Sequence, residues 1–290
     1  MLDKKAQGMQ FNWIFVIIAG AIILAFFLMF TVKYTDLQNN KVSARIANSI
    51  ESQLDSLKTA EVSTTIENNA EINFQCDKFY VNNFISKGLS EKLIFSPLII
   101  KGNLLAWTQE WNYPFSVTNV FYLIGVNDEY KYKTNIDGFG GRIPDDFTVN
   151  FVNSGQDVTI TPSLDDPESG TVEINGEDYP YFGMAMAYGA IFSDDYKCLL
   201  GRSLTQLKSL AQVYSEKAKV LSVPGCDYER IGQALRNFEG NIDGYLCILN
   251  EEPNCPNIDP DMMINNIISY KKQIEAMNRD LDGDGCVVVF

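Results

Sequence analysis

The chain has 290 residues and a formal charge of −14; Asp3, Lys4 and Lys5 are the only charges in residues 1–32, so the rest carries −15. That sign excludes sequence-independent binding to nucleic acid or to an acidic membrane surface, which needs clustered Lys and Arg. The chain has no histidine, which removes Ser-His-Asp and Cys-His nucleophile systems, His-ligated zinc and imidazole proton shuttles.

The first element is Phe11 to Val32. No residue from Ala6 to Val32 is charged, and Ile14, Phe15, Val16, Ile17, Ile18, Ile22, Ile23, Leu24, Phe26, Phe27, Leu28 and Phe30 fill every side of the helical wheel. As a helix it rises roughly 33 Å, enough for a hydrocarbon core of about 30 Å. It reads as a membrane span, and the lack of an A-x-A site after it reads as an uncleaved anchor. Residues 1–10 are then a cytoplasmic N-terminus. Lys4 and Lys5 face Lys33, Lys41 and Arg45 across the span, so charge alone does not orient it. Six cysteines and the acidity, all beyond the span, favour a head outside the cytoplasm at the cell membrane.

The run Lys4-Lys5-Ala6-Gln7-Gly8-Met9-Gln10 ahead of the apolar helix resembles the leader of archaeal type IV pilin-like precursors. The resemblance covers about the first thirty residues and implies cleavage at Ala6-Gln7. Met9 and Phe11 stand where that family usually carries Ser and Glu. The whole chain resembles archaeal single-span membrane proteins of the same anchor-plus-head layout, which implies no activity.

Over residues 33–60, Val42, Ile46, Ile50, Leu54 and Leu57 form one apolar stripe among polar residues, predicting an amphipathic stalk helix continuous with the span and about 70 Å long overall. The stripe needs a cover: the head of the same chain, or other copies in a homo-oligomer.

Residues 61–290 form the head, an α+β domain with its strands first and its helices afterward. Ile66, Ile72, Phe74 and Phe79 to Val81 read as short strands, and Leu93 to Phe95 and Leu98 to Ile100, flanking Pro97, as edge strands. Val120 to Val126 and Tyr130 to Lys133 bracket Asn127-Asp128-Glu129 as a hairpin. Phe147 to Val152 and Val158 to Thr161 follow, and Asn175-Gly176 marks a second hairpin. This middle region is expected to be antiparallel. Gly138, Gly140 and Gly141 lack the ending of a phosphate loop and read as surface loop.

From Asp194 the pattern is helical, stopping at Pro224-Gly225. Asp227 caps a second helix that Gly240 is expected to end, and Asp259-Pro260 opens a third carrying Met263, Ile264, Ile267, Ile268, Ile274 and Met277.

Four sets of residues could carry function. Trp107 and Trp111, in an aromatic-rich stretch, would make a binding platform for a ligand or partner if exposed, and core packing if not. Asp280, Asp282 and Asp284 before Gly285 carry the first half of a calcium loop, without the closing Glu, or else a turn into a final apolar strand, Val287 to Phe290. Cys76, Cys198, Cys226, Cys247, Cys255 and Cys286 show no CxxC spacing and read as disulfides; six allow 15 pairings, of which Cys247–Cys255 is the best local guess. Ser269-Tyr270-Lys271-Lys272 matches S-x-x-K without its companion motifs. The expectation is a non-enzymatic, membrane-anchored surface or envelope protein with a structural or assembly role. No cofactor beyond calcium is implied.

Overall fold

A computed structural model describes residues 4–57, 63–89, 92–164, 166–221, 223–255 and 259–290, with side chains in the first helix from Trp13 onward. The leader side chains around Ala6-Gln7, the end of the stalk at 58–60 and Pro256 lie outside the described residues.

Helix α1 (Lys4–Leu57) runs unbroken for 54 residues, about 80 Å at the standard rise. No proline interrupts it, and Gly20 stands well inside an apolar run that favours the helix. Its two halves differ in cover. Side chains from Trp13 to Leu37 are exposed on every side, whereas Ser43, Ala47, Ile50, Leu54 and Leu57 are buried against the head. The predicted stripe is therefore covered by the chain's own head from Ser43 onward, leaving Val42 exposed.

Three sheets follow. The first has the order β1 (Ser63–Ile66), β7 (Leu104–Asn112), β8 (Ser116–Gly125), β5 (Leu93–Phe95). The second has the order β4 (Ile85–Gly88), β3 (Lys78–Val81), β2 (Glu71–Phe74), β6 (Ile99–Lys101) and is wholly antiparallel. The third has the order β10 (Val149–Phe151), β9 (Tyr130–Thr134), β11 (Val158–Pro162), β12 (Ser169–Ile174), β13 (Glu177–Phe182). Strands β5 and β6, on either side of Pro97, are both edge strands as expected.

The first sheet divides two cores, because alternate residues of a strand face opposite ways. Ile94, Leu104, Ala106, Phe121 and Leu123 point to a smaller core with the end of α1 and the second sheet. Phe95, Leu105, Trp107, Tyr122 and Ile124 point to a larger one shared with the third sheet and the helices α2 (Met184–Phe192), α3 (Tyr196–Val220), α4 (Tyr228–Leu249) and α5 (Pro260–Gly283).

Four expectations are corrected. Asn127 to Glu129 do not join a hairpin: β8 and β9 belong to different sheets. The Asp128 carboxylate accepts from the Gly125 amide at 2.7 Å, and this side-chain bond turns the chain out of the first sheet. The middle region is not all antiparallel, since β9 pairs in parallel with both β10 and β11, as β5 does with β8. Gly240 does not end α4; burial of Ile242, Leu246 and Leu249 outweighs a glycine cost of about 1 kcal/mol, and the helix runs to Leu249. Val287 to Phe290 pair with no strand among the described residues, although Asn278 holds the Val289 amide and Phe290 carbonyl as a strand neighbour would.

The Asn175-Gly176 hairpin joins β12 to β13 with positive φ at both residues (54° and 82°). Asp227 and Asp259 cap α4 and α5, their carboxylates accepting from the amides of Arg230 and Asp261. Gly138 caps a single 3-10 turn, Phe139–Arg142, that contains Gly140 and Gly141.

Candidate functional site: a long apolar helix built into the head, and a buried charge cluster

Helix α1 is long and apolar enough to cross a membrane, and none of its most apolar stretch is buried. Its hold on the head is mainly apolar. Ala47, Ile50, Leu54 and Leu57 enter the smaller core beside Ile72, Phe79 and Val81. Polar bonds flank them: Asn82 Nδ2 donates to Ser43 Oγ at 3.4 Å, Lys87 pairs with Glu51 at 2.9 Å, Lys92 pairs with Asp55 at 3.1 Å, and Thr108 Oγ1 donates to the Leu57 carbonyl. The helix is thus a structural member of the head, and movement of one carries the other.

All six cysteines pair: Cys76–Cys198, Cys226–Cys286 and Cys247–Cys255, with Cα separations of 6.0, 6.0 and 5.5 Å. The local guess, Cys247–Cys255, is among them. Cys76 follows β2 of the second sheet and Cys198 lies in α3, so this bridge joins the stalk side of the head to its helical side. Arg202, one turn on, reinforces the bridge by donating to the carbonyls of Cys76 and Leu89. Burial lowers the pKa of this guanidinium, against the attraction of Asp77. An open cleft of about 680 Å³ lies alongside, between Lys197, Arg202, Gln206 and Glu251.

Trp107 and Trp111 are 5% and 1% exposed, so of the two readings core packing holds and the platform does not. Trp107 stacks among Tyr122, Phe147 and Tyr188, and Trp111 donates its indole N–H to the Phe182 carbonyl. Both rings fill the larger core and offer no face to a ligand.

The three aspartates of the half calcium loop stand at the end of α5. Asp280 and Asp282 lie in the last turn of α5 and Asp284 is its C-cap, so the run is helix and cap rather than an open loop. Successive helical residues are about 100° apart, which turns the Asp282 side chain away from the other two. Among the described residues no three His, Cys, Asp or Glu side chains converge to hold a metal ion.

A buried cluster missed in the sequence lies around Lys271, whose side chain is 6% exposed. Its Nζ contacts Asp166 Oδ2 at 3.1 Å, Glu168 Oε2 at 2.9 Å and Glu275 Oε1 at 3.5 Å, and stands 5.3 Å from the centre of the Tyr113 ring. Asp166, 7% exposed in its side chain, also accepts from Ser169 Oγ at 3.1 Å and from the Glu168 amide at 3.2 Å. Ser169 in turn pairs with the Tyr113 hydroxyl at 2.9 Å. Burial would lower the pKa of the Lys271 ammonium, but the bond to Glu168 and the attraction of Asp166 and Glu275 outweigh it and hold it above its ordinary value. Burial raises the Glu275 carboxyl, with Lys271 opposing. The signal was legible: Lys271 stands four residues after Ile267 and three before Ile274, on the apolar face of α5. The S-x-x-K run does not coincide with it, since Ser269 and Lys272 lie on the exposed face.

The architecture is that of an α+β head built onto a single long apolar helix. In comparison with known proteins, the chain matches no family model, no curated protein and no solved structure.

Proposed function

We propose that the protein is a membrane-anchored surface or envelope protein whose head stands outside the cytoplasm, with a structural or assembly role rather than a catalytic one. The observation that carries this reading is the division of α1: bare and apolar from Trp13 to Leu37, built into the head from Ser43 to Leu57. A bare apolar surface of that length is costly in water and favourable in lipid. Three disulfides in the head suit an oxidising compartment. Because residues 43–57 already have their cover, self-association runs through the bare part of the helix, as an assembly of pilin-like subunits would require.

Cell fractionation with protease treatment of intact cells tests the reading. The full chain is expected in the membrane fraction, released by detergent and not by alkaline carbonate, with the head digested from outside. A head protected in intact cells, or a full chain soluble without detergent, overturns it. The mass of the mature N-terminus separates the assembly variants: a chain beginning at Gln7 supports a pilin-like subunit, and an intact leader supports a plain anchor.

A further inference from the structure

The cluster around Lys271 has the composition of an ion pair and the arrangement of a reaction centre. A buried lysine needs one carboxylate to balance its charge, and Lys271 has three in reach: Glu168 at 2.9 Å, Asp166 at 3.1 Å and Glu275 at 3.5 Å. Burial raises the proton affinity of the Glu275 carboxylate, which suits it to take up a proton and return it. The Asp166 carboxyl receives a donor on each oxygen, the Glu168 amide on Oδ1 and Ser169 Oγ on Oδ2. Such donors withdraw electrons from the carbonyl carbon and stabilise negative charge arising on its oxygens. The Tyr113 ring lies beside the amine and its hydroxyl holds Ser169, so the nucleophile and the acceptor are positioned by one side chain. The amine nitrogen lies 3.1 Å from one oxygen of the carboxyl, and burial of both side chains, 6% and 7% exposed, holds the two groups together.

We propose that Lys271 and Asp166 are joined by an intramolecular amide cross-link that the folded protein forms by itself. The step begins from the ammonium and the carboxylate. One proton passes from Nζ to the Asp166 carboxyl, leaving a neutral amine and a neutral acid, the minor and reactive form of a pair whose resting state is charged. The Nζ lone pair attacks Cγ, and a second proton moves from nitrogen to the Glu275 carboxylate. The Nζ–Cγ bond forms and one Cγ–O bond breaks. The departing oxygen takes the proton back from Glu275 and leaves as water. An ammonium and a carboxylate become one amide and one water, with no oxidant, reductant or other reactant. One feature favours the product: it removes the charges of Lys271 and Asp166, whose side chains are 6% and 7% exposed. The link would tie the segment before β12 to the middle of α5, 105 residues further along the chain.

The test is peptide mapping of the full chain, purified in detergent, reduced, and digested with trypsin. The expected result is one joined species made of the peptide from Ile143 to Lys197 and the peptide beginning at Asn237, lighter than their sum by one water, with no cleavage after Lys271. Recovery of both peptides in linear form, with no joined species, overturns the proposal and leaves an ion cluster only. Lys271→Arg keeps the charge and is expected to give linear peptides alone; a joined species in that variant overturns the assignment to Lys271. Glu275→Gln removes the proton carrier and is expected to slow closure after refolding by roughly 100-fold or more. Closure at the unaltered rate overturns the role given to Glu275. The wild-type digest decides the main question even if a variant fails to fold.

Discussion

The two cores on either side of the first sheet are built from different materials. The smaller one, which grips α1, buries Ala, Ile, Leu, Val and Phe and, among the described residues, no Tyr or Trp. The larger one is rich in Tyr and Trp whose polar atoms reach particular carbonyls: Tyr122 to Ala185, Tyr188 to Phe139, Tyr196 to Pro180, Trp111 to Phe182. An aliphatic core specifies volume and tolerates rearrangement, whereas each buried hydroxyl specifies one partner and costs about 1 to 3 kcal/mol when left without it. The grip on α1 is therefore a matter of area, and the order of the helical side is a matter of address.

Alkali should separate the two most strongly. Burial raises the pKa of Tyr122 and Tyr196 well above the ordinary value near 10, and pushes Tyr188 up to about 12, with Arg142 opposing. A raised folded value means that the stabilisation is complete below the unfolded value and is lost as pH rises through the window above about 10. Each fully buried tyrosine removes roughly 1.4 kcal/mol per pH unit there. Near-ultraviolet circular dichroism, which reports the aromatic core, is expected to collapse while amides of β2 and β3 stay protected from hydrogen exchange. Simultaneous loss of both signals would show that the cores are one cooperative unit and would dissolve the distinction.

The bridge between the cores comes next. Cys76–Cys198 closes a loop of 122 residues and Cys247–Cys255 one of 8. Chain entropy alone then assigns about 5 kcal/mol to the first and about 2.5 kcal/mol to the second. Paired Cys→Ser variants compared by denaturant midpoint should show that order, and the reverse order would mean that native-state contacts rather than loop closure set the cost. Inside the smaller core, Leu54→Ala should lose about 2 to 5 kcal/mol. In the larger core, Gly189→Ala would bring a methyl within 2.5 Å of the Phe95 ring and should lose about 1 to 3 kcal/mol. A neutral result at either position would mean that the core around it yields more than close packing permits.

What could be read from the sequence follows the same division. The apolar run and the stripe of α1, the caps at Asp227 and Asp259, the Asn175-Gly176 turn and the edge strands around Pro97 rest on local signals, and each is present in the fold. The β8–β9 hairpin failed because Asn127-Asp128-Glu129 looks like a turn between partners, while pairing is decided by which sheet receives Tyr130 and Tyr132. Helix α2 was missed because Met184 to Phe192 is apolar on all sides and has no period to detect. Trp107 and Trp111 were legible as aromatic and illegible as buried, since burial depends on the third sheet and α2 closing over them. The cysteine pairs 76–198 and 226–286 and the meeting of Lys271 with Asp166 join residues 60 to 122 apart, which no local pattern encodes.

The smallest expected effect tests the claim that area holds the anchor. Glu51 and Lys87 lie 2.9 Å apart with side chains 37% and 34% exposed, so solvent screens most of their attraction. Glu51→Gln keeps the shape of the side chain and removes one charge, and it should lose less than about 1 kcal/mol. That loss should shrink further as salt is raised, because the pair lies within reach of mobile ions. Set beside Leu54→Ala, three residues along the same helix, the ratio of the two losses measures how the head holds α1. A Glu51 loss equal to the Leu54 loss, and sensitive to salt, would show that charge rather than buried area fastens the anchor.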